Sequence, residues 1–131
     1  MGIVEDHFKA LEESGSRRQR YSSASLTPVG NGTFLVKLTG FQLPSGWKPR
    51  STNVYFLIPA GYPVARPDTF WTEADVFLES GAPVMNTGNN QQPGVPNGLK
   101  WFSWHPGSWN ANRDNLLTWV EMIRRRFEDR R

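Results

Sequence analysis

The stretch Pro59-Ala60-Gly61-Tyr62-Pro63-Val64-Ala65-Arg66-Pro67-Asp68-Thr69-Phe70-Trp71 predicts a proline-rich turn between two strands. It directly follows Asn53–Ile58, whose β-branched and aromatic residues favour a strand. It leads into Phe70–Leu78, which carries further large apolar residues and predicts the next strand. Because proline supplies no N–H to a hydrogen-bonded ladder, the turn marks where one strand ends before the next begins.

Two more strands are expected ahead of this turn. Tyr21–Leu26 alternates weakly between apolar and polar residues, and Thr33–Leu38 is rich in β-branched and aromatic residues. Gly30-Asn31-Gly32 lies between them and is typical of a hairpin turn. Together the four segments predict a four-stranded antiparallel meander.

Helical periodicity is found on both sides of the predicted meander. Residues 3–13 place apolar side chains at helical spacing, and the pattern breaks at Gly15. Towards the other end of the chain an apolar stripe predicts a second helix, with Asn112 or Asp114 as its N-cap. The stripe consists of Leu116, Val120, Ile123 and Phe127. These elements predict an α+β fold in which the helices pack on one face of an antiparallel sheet.

Composition limits the chemistry that this chain can perform. Of its 131 residues 37% are hydrophobic, so residues 1–131 are expected to form a single domain with its own core. The absence of cysteine excludes disulfides, thiolate zinc sites and a cysteine nucleophile. The two histidines are far apart in sequence, so we expect neither a metal site nor another cofactor.

The net charge of +3 comes with arginine clusters near residues 17–20 and 124–131. Such clusters can contact phosphate or an acidic protein surface, but they are more typical of the solvated faces of terminal helices. No base-stacking or phosphate-cradling motif accompanies them, so nucleic acid is not expected as a partner. No apolar run approaches the length of a bilayer-spanning segment, and we expect a cytoplasmic protein.

Reactive groups concentrate in Trp101-Phe102-Ser103-Trp104-His105-Pro106-Gly107-Ser108-Trp109. This run follows Gly81–Gly98, a long irregular stretch of the kind that is often functional in a small domain. In an extended chain the side chains of Ser103 and His105 share one face, because alternate residues point the same way. The imidazole would then take the hydroxyl proton as the serine oxygen attacks an activated acyl group.

Other polar residues are candidates for supporting roles at this serine. Asp114, at the start of the last predicted helix, would orient the imidazole as the third member of a triad does. An amide of Asn86, Asn89 or Asn90 in the long loop would donate a hydrogen bond to a developing oxyanion. The competing interpretation is structural, since large aromatic residues normally pack in a core and a serine near a histidine is common.

Two motifs and the order of the elements resemble ubiquitin-conjugating (E2-type) domains, and in particular prokaryotic E2 family E. The first motif is Pro-x-Gly-Tyr-Pro followed by Pro-Asp-x-Phe-Trp, within Pro59–Trp71. The second is an aromatic-flanked Ser-x-His block, represented by Ser103, His105, Trp109, Asp114 and Leu116. The resemblance covers nearly the whole chain. It implies a UBC-like fold: an N-terminal helix, a four-stranded antiparallel meander, a long active-site loop and a C-terminal helix.

The resemblance implies a place in a bacterial ubiquitination-like pathway. An E1-like activating enzyme would adenylate the C-terminus of a ubiquitin-like protein and pass that protein to this domain. A deconjugating metalloprotease often accompanies such proteins, and the operons that they resemble point to antiphage defence.

This chain departs from typical E2-type domains at the reaction centre. Those domains carry a His-Pro-Asn motif and a catalytic cysteine, whereas here the long loop has asparagines without the His-Pro and the chain has no cysteine. Thioester chemistry is therefore excluded, and an oxyester on Ser103 with His105 as base is the candidate reaction. The alternative is a catalytically inactive module that binds a ubiquitin-like protein or an E1-like enzyme without a covalent bond.

Overall fold

A computed structural model describes residues 2–131, in which two helices pack on one face of a six-stranded antiparallel sheet. Helix α1 spans Ile3–Arg18 and helix α2 spans Leu116–Glu128. The strands of this sheet are β1 Ser23–Gly30, β2 Thr33–Gln42, β4 Ser51–Ile58, β5 Phe70–Thr72, β7 Thr87–Gly88 and β8 Lys100–Phe102. Across the sheet they lie in the order β1-β2-β4-β5-β8-β7. A separate two-stranded ribbon pairs β3 (Trp47–Lys48) with β6 (Phe77–Leu78).

The α+β class and the two helices agree with the sequence prediction, whereas several element bounds differ. The predicted strand Phe70–Leu78 is two short strands, β5 and β6, which belong to different sheets. The split follows Thr72, where the carboxylate of Glu73 turns back to accept hydrogen bonds from Asn53 Nδ2 (3.1 Å) and the Tyr55 hydroxyl (2.7 Å). The predicted loop also contains strand β7, which together with β8 extends the sheet beyond β5.

Helix α1 does not end near Gly15, as the sequence pattern indicated, but continues to Arg18. Gly15 is buried, and a Cβ atom built there would lie 1.9 Å from the ring of Tyr21. The glycine therefore admits the tyrosine ring against the helix and does not break it. Helix α2 begins after Asn115, whose side chain accepts hydrogen bonds from the N–H groups of residues 117 and 118. The predicted caps Asn112 and Asp114 lie in the preceding turn instead.

The core consists of two apolar clusters on opposite faces of the sheet. The larger lies between the sheet and both helices and contains aromatic rings that pack tilted or edge-on against Phe127. The smaller, on the other face, contains Tyr55, Trp71, Val95 and Leu99. Because Val95 is only 6% exposed, the Gly81–Gly98 loop folds over this second face. Within residues 2–131 neither helix has the length and apolar character needed to cross a membrane.

The proline-rich turn around Tyr62-Pro63, the Tyr-Pro turn, joins both helices to the sheet. The Tyr62 hydroxyl lies 2.6 Å from His7 Nδ1 on α1, and burial raises the pKa of Tyr62 to about 12. Trp109, which precedes α2, donates its indole N–H to the carbonyl of Pro63 at 2.7 Å. The turn is thus held by side chains from both ends of the chain, beside the strands that carry the candidate site.

Candidate functional site

Ser103 directly follows strand β8, between the ends of its two neighbouring strands. On one side β7 pairs Thr87 with Phe102, and the ladder continues with the Ser103 N–H donating to the Asn86 carbonyl at 2.8 Å. The backbone of this serine is therefore held by the loop that precedes β7. Its side chain is partly exposed.

The ladder on the other side of Ser103 shifts by one residue. Strand β5 pairs Phe70 with Phe102, but the next N–H, that of Thr69, donates to the carbonyl of Trp104 at 2.8 Å. Such irregularities redirect side chains and are frequent next to active sites. Thr69 has a φ of 57°, a left-handed conformation that a β-branched residue rarely adopts. Backbone strain of this kind clusters at functional sites.

The residues around Ser103 alternate between the two faces of the sheet. Phe102 and Trp104 pack in or against the main core, whereas Trp101 packs against the second cluster. By this alternation Ser103 lies on the same face as Trp101, away from the helices.

His105 forms a pair with Asp68, which the sequence did not indicate. The imidazole Nδ1 contacts Asp68 Oδ1, and both side chains are about half exposed, at 55% and 51%. A carboxylate can only accept a hydrogen bond, so in this contact Nδ1 carries the hydrogen, and in the neutral imidazole Nε2 keeps a free lone pair. A histidine held in this way has the tautomer of a general base.

Asp114, the predicted partner of the imidazole, lies in the turn before α2 and not beside His105. Its buried carboxylate accepts the N–H of Asn110 at 2.8 Å and contacts the guanidinium of Arg113, which closes the turn before α2. Within residues 2–131 no hydrogen bond joins it to His105. The contact predicted between Asp114 and the imidazole is thus made by Asp68, because the pairing of β5 with β8 brings residue 68 to this position.

The three loop asparagines are divided by the fold. Asn86, with a φ of 59°, lies opposite Ser103 and holds it through its carbonyl. Asn90 accepts the indole N–H of Trp71 through its carbonyl at 2.8 Å, and Asn89 is exposed beside it. Of the three predicted oxyanion donors, the structure therefore places Asn86 beside Ser103, while Asn89 and Asn90 lie by the second apolar cluster.

Comparison with protein families identifies the chain. The model of prokaryotic E2 family E matches residues 16–130, which include the Tyr-Pro turn, the Ser103–His105 segment and helix α2. The chain belongs to prokaryotic E2 family E. It is therefore an E2-like protein. Comparison with curated proteins and with solved structures finds no match.

The sequence pattern did not indicate two residues at the candidate site of this family E protein, Asp68 and Thr69. Both lie in the signature stretch Pro59–Trp71, where an aspartate after a proline reads as an ordinary turn residue. The signal that would have identified Asp68 is its pairing with a residue 37 positions away.

Within residues 2–131 no cluster of three or more His, Asp or Glu side chains is arranged to hold a metal ion.

The Asp114 carboxylate of the E2-like protein makes a testable contribution to stability. The N–H of Asn110, and then the guanidinium of Arg113, lower the pKa of Asp114 in the folded state. A lowered folded-state pKa contributes stability that is present above the unfolded-state value and is lost as the pH falls through the folded-state value. We therefore expect Asp114→Asn to unfold at lower urea than the wild type at pH 7, with the difference shrinking towards pH 3. A pH-independent difference in urea midpoints would contradict this assignment.

Proposed function

We propose that this E2-like protein accepts a ubiquitin-like protein from an E1-like activating enzyme and carries it as an oxyester on Ser103. The observation that supports this proposal best is the Asp68–His105 pair beside a serine at the end of β8. In a chain without cysteine, a hydroxyl needs such a base, because it is barely ionised at neutral pH.

In the proposed transfer Ser103 is the nucleophile, His105 the base and Asp68 the partner of the imidazole. Ser103 Oγ attacks the carbonyl carbon of the thioester between the ubiquitin-like protein and the E1-like enzyme, while His105 Nε2 takes the hydroxyl proton. A C–O bond forms, the C–S bond breaks, and the departing thiolate takes up the proton. Asp68 stabilises the imidazolium that forms on the way. Of the predicted oxyanion donors, Asn86 is the one whose backbone contacts Ser103, and its side-chain amide would donate to the developing oxyanion.

The partners follow from this role. The proposed donor is an E1-like enzyme, the cargo is a ubiquitin-like protein, and a deconjugating metalloprotease would reverse the modification. An E2-like protein in a bacterial pathway of this type fits a function in antiphage defence.

The oxyester is tested by intact mass spectrometry after incubation with an E1-like enzyme, a ubiquitin-like protein and ATP. We expect an adduct of one ubiquitin-like protein that survives thiol reductant, is released by mild base and is absent in Ser103→Ala. Ser108→Ala is the matched control, since Ser108 is an exposed serine five residues further on, and it should be charged normally.

Two outcomes would overturn the oxyester proposal. The first is no adduct on this protein although the E1-like enzyme itself becomes charged. The second is an adduct that resists base, which indicates an amide. Lys100, three residues before Ser103, is the candidate for that amide, because burial lowers the pKa of its side chain. Its ammonium donates to the Val76 carbonyl and lies 4.1 Å from the centre of the Phe77 ring.

The second candidate function is a catalytically inactive module that binds a ubiquitin-like protein or an E1-like enzyme. One observation favours it: within residues 2–131 no hydrogen bond joins the side chains of Ser103 and His105. In an acyl carrier, a hydrogen bond of this kind often forms only in the complex with substrate. Calorimetric binding of the charged E1-like enzyme, without an adduct in the mass spectrum, would identify the inactive module.

A further inference from the structure

Arg126 is a buried arginine on the core-facing side of helix α2. It is 3% exposed, and its guanidinium donates to the carbonyl of Met85 at 2.7 Å and to main-chain oxygens of Asp129 and Arg131 at 3.1 and 2.6 Å. Within residues 2–131 it forms no ion pair with a side-chain carboxylate. Burial lowers the pKa of Arg126, as expected for a charge removed from water.

Three aromatic rings surround the same guanidinium. Its central carbon lies 5.9 Å from the ring centre of Trp47, 5.4 Å from that of Phe102 and 5.6 Å from that of Trp104. A planar guanidinium suits this arrangement, because its faces stack on rings while its edge donates hydrogen bonds. A lysine would keep the charge but could not do both.

Three of the residues that Arg126 contacts lie next to Ser103 in the chain or next to the residue that binds its backbone. Phe102 and Trp104 are the two chain neighbours of that serine. Met85 is the residue before Asn86, whose carbonyl accepts the Ser103 N–H. One side chain therefore touches the chain on both sides of Ser103 and also the loop that holds its backbone.

Because burying the charge of Arg126 costs free energy of folding, a contribution to stability alone does not explain an arginine at this position. Burying a charge is expensive even where a nearby carboxylate, here that of Asp129, partly offsets the loss of water. Apolar residues of similar volume often replace such buried charged groups without loss of stability. A methionine at this position would continue the apolar stripe of α2. The arginine instead satisfies the Met85 carbonyl from a position 41 residues away.

We propose that Arg126 is a positioning residue that sets the place of Ser103 for acyl transfer, by holding the Met85–Asn86 backbone against the end of β8. This inference rests on the proposed function for its catalytic consequence. Its structural consequence, an ordered Ser103 backbone, is measurable without any partner protein.

The test compares Arg126→Met and Arg126→Lys with Arg124→Met. Arg124 lies on the same helix but pairs with Glu121 and Glu128 near the surface, so it is the matched control. We expect both Arg126 variants to speed amide hydrogen exchange at Ser103 by about tenfold or more, with exchange in β2 and β4 unchanged. We also expect the single-turnover rate of Ser103 charging to fall by about 10²-fold at saturating E1-like enzyme, with the half-saturating concentration unchanged.

The outcomes separate this inference from the proposed function. If the wild type forms no adduct but the Ser103 amide still responds to Arg126 and not to Arg124, then the oxyester proposal fails and the positioning of the backbone stands. Unchanged exchange at Ser103, or equally faster exchange throughout the sheet, would overturn the inference. So would normal charging of Arg126→Met.

Discussion

Replacing His105 with glutamine should slow the charging of Ser103 by about 10²–10⁴-fold, the usual contribution of a general base. Glutamine keeps a polar side chain near Asp68 but has no group that takes up a proton at neutral pH. The measurement is the single-turnover rate of adduct formation by intact mass, at saturating E1-like enzyme and ubiquitin-like protein. Asp68→Asn should also slow charging. A carboxylate only accepts hydrogen bonds and so keeps the hydrogen of the neutral imidazole on Nδ1, whereas an amide can also donate to Nδ1 and would then leave the hydrogen on Nε2.

His7 provides the control for this prediction. It is the other histidine of the chain, and from α1 its ring contacts the hydroxyl of Tyr62. His7→Gln retains an oxygen that can accept from that hydroxyl, so it should charge at the rate of the wild type. Equal rates for His105→Gln and the wild type would show that the imidazole takes no part in the reaction. The double variant of Asp68 and His105 should be no slower than His105→Gln alone, since the aspartate acts through the imidazole.

Replacing Phe127 with alanine should reduce the free energy of unfolding by about 3–5 kcal/mol, as for other buried phenylalanines. Phe127 is fully buried, and its ring lies 5.1–6.1 Å, centre to centre, from the rings of Trp47, Phe41, Phe70 and Phe102. Removing it leaves a cavity where helix α2 meets the sheet, and the rigid rings around it can collapse only partly. Urea unfolding followed by tryptophan fluorescence measures the loss.

Leu117 is the matched control on the same helix. It is 38% exposed, so Leu117→Ala should cost less than about 1 kcal/mol. A loss for Phe127→Ala as small as that for Leu117→Ala would mean that the aromatic cluster relaxes around the gap. It would contradict the close packing described for the main core.

The elements that sequence reasoning predicted are those with a local cause. The apolar stripe that ends at Phe127 follows from the 3.6-residue period of a helix, and Asn53–Ile58 lies within strand β4 because its residue types favour strands. Both signals depend on residues a few positions apart. The prediction failed at Gly15, where the local tendency of glycine to end helices was overridden by a contact with the ring of Tyr21.

The candidate site was predicted in part for the same reason. Ser103 and His105 are close in sequence, so one local pattern indicates both, and the β7–β8 ladder brings the Asn86 backbone to Ser103. The sequence favours Asp114, which is near in the chain, as the partner of the imidazole, whereas in the structure that partner is Asp68. Nothing local to residue 68 indicates that contact.

By itself, the sequence determined the class of fold, the Tyr-Pro turn between two strands and the exclusion of thiol chemistry, because these follow from periodicity, residue type and composition. The tertiary structure alone decided which distant residues come together around the candidate site. Asp68 reaches His105 through the shifted pairing of β5 with β8, and Arg126 reaches Met85 through the packing of α2 on the sheet. Contacts between residues so far apart in sequence depend on how the strands pair and on how the helices pack on them, and neither is encoded in any local stretch.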